Sequence, residues 1–175
     1  MACWNVIDHT EFSGSANGYE KTSIPASYDH LYFVASARSD ASTYTDFCHF
    51  QLNGDTTDSN YHSIFQQTTS STPACNAGAY SFGAQIPGPS ALADTFSTVK
   101  IWIPNYADTS NFKQALAQST APNNSTTDSQ WNVAMAANLW KNTAAINAFK
   151  FLVYGGSDNM VQYSTFTLYG INGAG

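Results

Sequence analysis

The stretch Leu31-Tyr32-Phe33-Val34-Ala35-Ser36-Ala37-Arg38 decides the fold. Successive side chains of a strand point to opposite faces, so Leu31, Phe33, Ala35 and Ala37 share one apolar face of an extended segment. Pro25 bounds it upstream as a stop signal. Working outward, Tyr44 to Leu52 repeats the pattern with Cys48, Phe50 and Leu52 inward. It ends in Asn53-Gly54-Asp55, residues that tolerate the positive φ of a tight turn. A hairpin-like reversal there is expected to lead into a strand over Tyr61 to Gln67. Ala79 to Ile86 reads as a further strand, closed by Pro87-Gly88-Pro89. Thr95 to Pro104 places Val99, Ile101 and Ile103 on one side and Lys100 and Trp102 on the other.

Asn105 to Ser129 is polar and turn-rich, and Ala121 to Thr127 suits an exposed loop, with one short helical turn expected over Phe112 to Gln118. In Trp131 to Trp140 two periods compete. Trp131, Met135 and Leu139 fit a helix stripe; Trp131, Val133, Met135, Ala137 and Leu139 fit strict alternation. A strand is favoured because it turns Asn132 and Asn138 outward and is followed by the turn residues Lys141-Asn142-Thr143. Two last runs, Ala145 to Tyr154 and Val161 to Ile171, flank the loop chemistry of Gly155-Gly156-Ser157-Asp158-Asn159.

Strands thus recur with turn punctuation, without βα alternation and without an internal repeat. The expectation is an all-β chain, an antiparallel β-sandwich of jelly-roll-like form with little helix, as one domain over residues 1–175. Phe33, Phe50, Ile101, Phe151, Phe166 and Leu168 are its expected core; each contributes roughly 1.5 to 3 kcal/mol when fully buried.

Composition agrees. Of 175 residues, 43% are hydrophobic, 14% aromatic and only 10% charged, against about 25% charged in an ordinary soluble domain. Neutral polar side chains, with Thr and Tyr prominent, fit a pleated, half-buried surface. Six Lys plus Arg against 12 Asp plus Glu give a net charge of -6, which offers no cationic face for nucleic acid and no polybasic patch for a membrane surface. The start of the chain lacks a basic n-region and an apolar h-region, and no run long enough to span a bilayer follows. Cys3, Cys48 and Cys75 are odd in number and widely spaced, so free, mostly buried thiols are expected rather than a disulfide framework.

Signals of chemistry are sparse. His9, His30, His49 and His62 form no spaced pair, and no Cys-x-x-Cys, nucleophile elbow or phosphate loop occurs. Cys48 beside His49 suggests a thiolate and its base, but neighbours on a strand project to opposite faces. Asp40, Asp46, Asp55 and Asp58 fall near one turn and are the residue type of a glycosidase pair or a calcium site; their spacing fits a solvated rim of turn-capping carboxylates better. No catalytic, metal or cofactor residue is assigned. Trp102, Tyr106 and Trp140, read as outward rings or strand ends, and Tyr169, opposite Leu168, are the candidates for a protein interface or for stacking on sugars.

The ending Ser164-Thr165-Phe166-Thr167-Leu168-Tyr169-Gly170-Ile171, preceded by Trp140-Lys141-Asn142-Thr143-Ala144-Ala145-Ile146, resembles the closing strand of small tailed-bacteriophage virion proteins. Ser23-Ile24-Pro25-Ala26-Ser27-Tyr28-Asp29-His30-Leu31, Ala37-Arg38-Ser39-Asp40, Asn53-Gly54-Asp55 and Asn60-Tyr61 extend that resemblance over most of the chain. It implies a jelly-roll-like particle component on the outer surface of a virion, in contact with capsid or tail proteins, and it brings no catalytic residue. A homo-oligomer, with a trimer as one form, would suit repeated shell sites. Three functions follow in order: a capsid cement or decoration subunit, a receptor- or carbohydrate-binding module of a tail appendage, and a polysaccharide-degrading enzyme. Gly170 is expected to let the chain turn sharply after Leu168.

Overall fold

The computed structural model of the protein describes residues 3–69, 72–122 and 132–172. The chain is an antiparallel β-sandwich of jelly-roll-like character. Its strands are β1 (Cys3–Glu11), β2 (Gly18–Lys21), β3 (His30–Ser36), β4 (Thr45–Leu52), β5 (Tyr61–Thr69), β6 (Thr72–Gly78), β7 (Ala84–Pro87), β8 (Thr98–Pro104), β9 (Lys113–Ala121), β10 (Asn132–Trp140), β11 (Phe149–Val153) and β12 (Thr165–Asn172). A larger sheet runs β1-β12-β3-β8-β9-β10-β5-β6 and a smaller one β2-β11-β4-β7. The first five strands alternate between the two sheets. The single helical element among the described residues is a 3-10 turn over Asp58–Asn60.

The deciding stretch behaves as its alternation requires: Leu31, Phe33 and Ala35 of β3, followed by Ala37, are buried. The Phe33 ring lies 4.9 Å from Phe149, 5.1 Å from Phe151 and 5.5 Å from Tyr19, so β3 of one sheet meets β11 and β2 of the other through aromatic edges and faces. Phe50, Ile101, Phe151, Phe166 and Leu168 are fully buried with it. Along the middle of β9 and β10 the inward side chains shrink to Ala115, Ala117, Ser119, Ala134 and Ala136, with Ser63 beside them on β5 between the buried rings of Tyr61 and Phe65. Here the backbone of β7 and of the segment leading into it comes close enough for direct hydrogen bonds. Ser119 Oγ accepts from the Gln85 N–H at 2.9 Å, and Asn138 accepts from the Phe82 N–H at 2.7 Å while donating to the Phe82 carbonyl at 3.0 Å.

That close approach corrects the reading of β10. The strand is there, but its faces are inverted: Asn132, Ala134, Ala136, Asn138 and Trp140 point inward, and Val133, Met135 and Ala137 are exposed. Trp131 lies outside the described residues. A buried carboxamide that satisfies both groups of a peptide is not a misplaced surface residue, because leaving those groups unpaired costs about 1–3 kcal/mol each.

Other expectations change as well. Asn53 and Gly54 do take positive φ, 53° and 70°, but the turn is no hairpin. β4 pairs with β11 and β7, whereas β5 pairs with β10 and β6, so the turn carries the chain across the sandwich. The strand expected over Ala79 to Ile86 begins only at Ala84, and β6 precedes it. The segment from Phe112 to Gln118 is the start of β9 rather than a helical turn, its Lys113, Ala115, Ala117, Ser119 and Ala121 alternating inward. Of the expected loop that follows, residues 123–131 lie outside the described residues. Gly170 sits mid-strand, paired with Asn5 and Leu31, and does not turn the chain. Its missing side chain makes room for Tyr28, whose ring carbon would lie 2.3 Å from a Cβ at that position.

The same enlargement at two neighbouring positions tests the facing of β10. Ala136→Leu, at a site 1% exposed, should destabilise the fold by about 1–3 kcal/mol through overpacking. Ala137→Leu, on the outer side, should stay within about 0.5 kcal/mol of the parent. Urea unfolding of dilute protein, followed by near-ultraviolet circular dichroism, reads both.

Candidate docking surface

Because the strand pairing of the larger sheet can be followed from edge to edge, its outward residues form rows, two of which cross all eight strands. One row begins Val6, Tyr169, Tyr32, Trp102 on β1, β12, β3 and β8. It continues Leu116, Ala137, Ile64, Ala77 on β9, β10, β5 and β6. Every side chain in it is aliphatic or aromatic. The next row holds His9, Thr167, Val34 and Lys100, then Gln118, Met135, Gln66 and Cys75. Lys100 is the only Lys or Arg in these two rows, and neither contains a carboxylate.

Exposure along this surface is high. Ile64 is 69% exposed, Val6 60%, Val133 57%, Trp4 55%, Met135 50% and Leu116 48%. Its two halves differ in kind. On the β1-β12-β3-β8 side, the Trp4 ring lies 5.0 Å from Tyr32 and 5.7 Å from Tyr169, both edge-on, and Trp102 stands 5.8 Å from His30. On the β9-β10-β5-β6 side the side chains are aliphatic and smaller. Seven interstrand gaps of about 4.8 Å make the row roughly 34 Å long. Contiguous apolar surface of this extent is uncommon on a monomer, which makes this face the candidate docking surface.

Of the four aromatic residues singled out in the sequence, two belong to this surface and two do not. Trp102 and Tyr169 stand in the apolar row, and Trp102 is 38% exposed. Tyr106 and Trp140, expected to be outward, are buried at 0% and 2%. The Tyr106 hydroxyl donates to the Pro25 carbonyl and accepts from the Tyr28 N–H at 3.4 Å, which ties down the loop before β3. Trp140 follows the inverted parity of β10 and donates its Nε1–H to Asp55 Oδ2 at 2.8 Å. Sequence reading missed Trp4, Ile64, Leu116, Val133 and Met135. The alternation that marks Val133 and Met135 in β10 was visible, but nothing local says which side of a strand meets the core.

The polar candidates are accounted for by structure. Cys48 is buried between the sheets, and burial pushes its thiol well above the usual range, away from a thiolate. His49 points the other way, its ring 5.2 Å from Tyr154, and burial lowers its basicity. Cys3 and Cys75 are exposed, contrary to the expectation of mostly buried thiols. The four aspartates accept hydrogen bonds from different partners rather than converging on one site. Asp40 accepts from the Asn159 N–H at 2.7 Å, and Asp46 from the Phe47 N–H at 2.8 Å. Asp58 accepts from the Tyr154 hydroxyl at 3.4 Å. Asp55 accepts from Trp140, from Asn60 at 2.9 Å and from the Thr57 N–H at 3.0 Å. Among the described residues no group of three or more His, Cys, Asp or Glu is placed to hold a metal ion.

No protein-family model matches this chain, and no curated protein matches it. Among solved structures it is similar to a beta-fructofuranosidase from Schwanniomyces occidentalis complexed with fructosyl-erythritol, at 7% identity and a TM-score of 0.25. That alignment covers 97% of this chain but 34% of the enzyme, and likeness at this level carries no argument about activity.

Asp55 joins this arrangement to pH. Burial pushes its carboxyl up, but the bonds from Trp140, Asn60 and Thr57 outweigh that and hold it below the usual carboxylate range. The stability it contributes is therefore present above the unfolded-chain value and lost as pH falls through the folded one. Asp55→Ala should cost about 1–3 kcal/mol at neutral pH by stranding the buried Trp140 N–H. It should also flatten the acid limb of a stability–pH profile measured by chemical denaturation.

Proposed function

We propose that this chain is a non-enzymatic structural protein of a bacteriophage particle, a capsid cement or decoration subunit that acts as a homo-oligomer on the outer surface of the virion. The observation that carries the reading is the outer face of the larger sheet, with its uninterrupted apolar row and its two central rows holding Lys100 as their only Lys or Arg. A face of that kind is costly in water and gains free energy when another protein covers it, at roughly 25 cal/mol per Å² of apolar surface removed. The resemblance of Ser164 to Ile171, and of the segments upstream, to virion proteins supplies the setting. On this reading protein–protein contact does the work, with no cofactor, nucleic acid or membrane.

A second reading is favoured by the rings at one end of that face. Trp4, Tyr32, Tyr169 and Trp102 form an aromatic shelf of the sort that stacks on sugar rings, which would suit a carbohydrate-binding module of a tail appendage.

Cryo-electron microscopy of intact particles, together with calorimetry of shells prepared with and without the protein, separates the two. The cement reading expects density at repeated positions on the shell and a lower melting temperature for shells lacking it. Density confined to the tail, with glycan-array binding abolished by Trp102→Ala or Tyr169→Ala, would replace it with the second. Particles without the protein overturn both.

A further inference from the structure

We propose that the outer face of the larger sheet is covered by a second copy of this chain, packed sheet on sheet about a two-fold axis that lies between β8 and β9 and runs along the strands. This inference rests on the reading of that face as a docking surface and names its occupant.

Size comes first. The apolar row is roughly 34 Å long, and with the outward positions of Trp4 and Ile171 flanking it on one side and those of Thr120 and Val133 beyond the Lys100 row on the other, four rows span about 20 Å along the strands. The footprint is on the order of 700 Å², close to the roughly 800 Å² that each partner contributes to a standard stable interface.

The face is also self-complementary. The centre of the row falls between Trp102 and Leu116, with bulky rings on one side and small aliphatic groups on the other. A two-fold axis along the strands at that point lays the ring side of one copy over the aliphatic side of the other. Trp102 then meets the second copy's Leu116, Tyr32 meets Ala137, and Tyr169 meets Ile64. Turning the axis parallel to the row would instead set Trp102 on Trp102 and Ala137 on Ala137, crowding one end and leaving a gap at the other. Two packed sheets about 10 Å apart need large side chains opposite small ones, so only the first choice fills the space.

Charge agrees with the same choice. A chain of net charge -6 repels its own copy wherever carboxylates meet, but the two central rows contain none. The same operation that pairs Trp102 with Leu116 sets the Lys100 ammonium opposite the Gln118 amide of the second copy, a neutral acceptor. An isologous contact of this kind closes on itself and leaves no sticky surface for open polymerisation.

The test uses the full chain in sedimentation equilibrium and light scattering. The parent protein should reach twice its 18.9 kDa chain mass. Leu116→Lys and Trp102→Glu, both at outward positions, should each retain the parent far-ultraviolet spectrum and raise the dimer dissociation constant by roughly 30-fold or more, the scale of a lost hot-spot residue. Mixing the two variants should restore a dimer, since the introduced ammonium and carboxylate would face each other while the second Trp102–Leu116 contact stays native. A monomeric or trimeric parent overturns the proposal, as does a dimer insensitive to both substitutions or a mixture that stays monomeric. Particle localisation is independent of these outcomes. A dimer absent from virions would sink the functional reading alone, and a monomer found on shells would sink this inference alone.

Discussion

Two hydrogen bonds between the Asn138 carboxamide and the Phe82 peptide determine which way the larger sheet faces. They tie the backbone of the segment leading into β7 to a side chain of the larger sheet, and Asn138 must point inward to make them. With a period of two, Ala136, Ala134 and Asn132 follow it in, and Val133, Met135 and Ala137 are forced out. Because β5 and β9 pair with β10 without a break, their parities are locked to the same choice. A slip of one residue would bury more hydrocarbon. It would also strand the Phe82 N–H and carbonyl and push Met- and Leu-sized groups into space sized for alanine. The polar contact and the close approach of the sheets win together over the simple rule that apolar residues go inside.

The other end of the sandwich is built on the opposite principle. There Phe33, Phe149, Phe151, Phe166 and Tyr19 hold the sheets apart with rings, and the stacked pair Tyr19 and Phe166, 5.5 Å between centroids, bridges β2 and β12. A register shift between Val6 and Asp8 in β1 returns Asp8 to the inner side, where it meets Lys21 of β2 at 3.3 Å. The irregularity sits on an edge strand, where a bend of this kind discourages uncontrolled strand addition. The long edge of the sheet is thus managed, while its broad outer face is left apolar.

The sequence made much of this legible, for reasons that can be traced residue by residue. Strands β3, β4, β8 and β12 were read with the right faces because on one side of each the apolar groups follow without a break, whereas the other side carries polar groups or polar-tipped rings such as His30 and Tyr32, Gln51, Lys100, and Thr167 and Tyr169. The turn at Asn53-Gly54 was read correctly in its backbone and wrongly in its destination, since φ values are local and sheet membership is not. β9 was missed because Lys113, Ser119 and a run of small or amide residues carry little hydrophobic signal. Their burial depends on hydrogen bonds to partners far along the chain, such as Gln85 for Ser119 and Thr143 for Lys113. The candidate site shared that fate. Trp102 could be placed because its strand was unambiguous. Tyr106 and Trp140 were misplaced because their polar tips find partners, at Pro25 and Asp55, that no periodicity reveals.

The scarcity of charge gives these observations a common direction. Several of the charged side chains are engaged in holding backbone. The Arg38 guanidinium donates to the carbonyls of Ala91, Leu92 and Thr95; Lys113 donates to those of Asn111 and Thr143; and Asp40, Asp46 and Asp55 accept from backbone N–H groups. Lys21 and Lys150 are matched to Asp8 and Glu20 on the smaller sheet's side of the fold. A protein that relied on its own surface for solubility would place such groups across a wide, apolar sheet, where scattered charges prevent association at little cost in stability. Here those positions hold Trp, Tyr, Leu, Ile, Val and Met, and the strand pairing that aligns them into rows is the same pairing that builds the core. A surface organised that way has the composition of an interface.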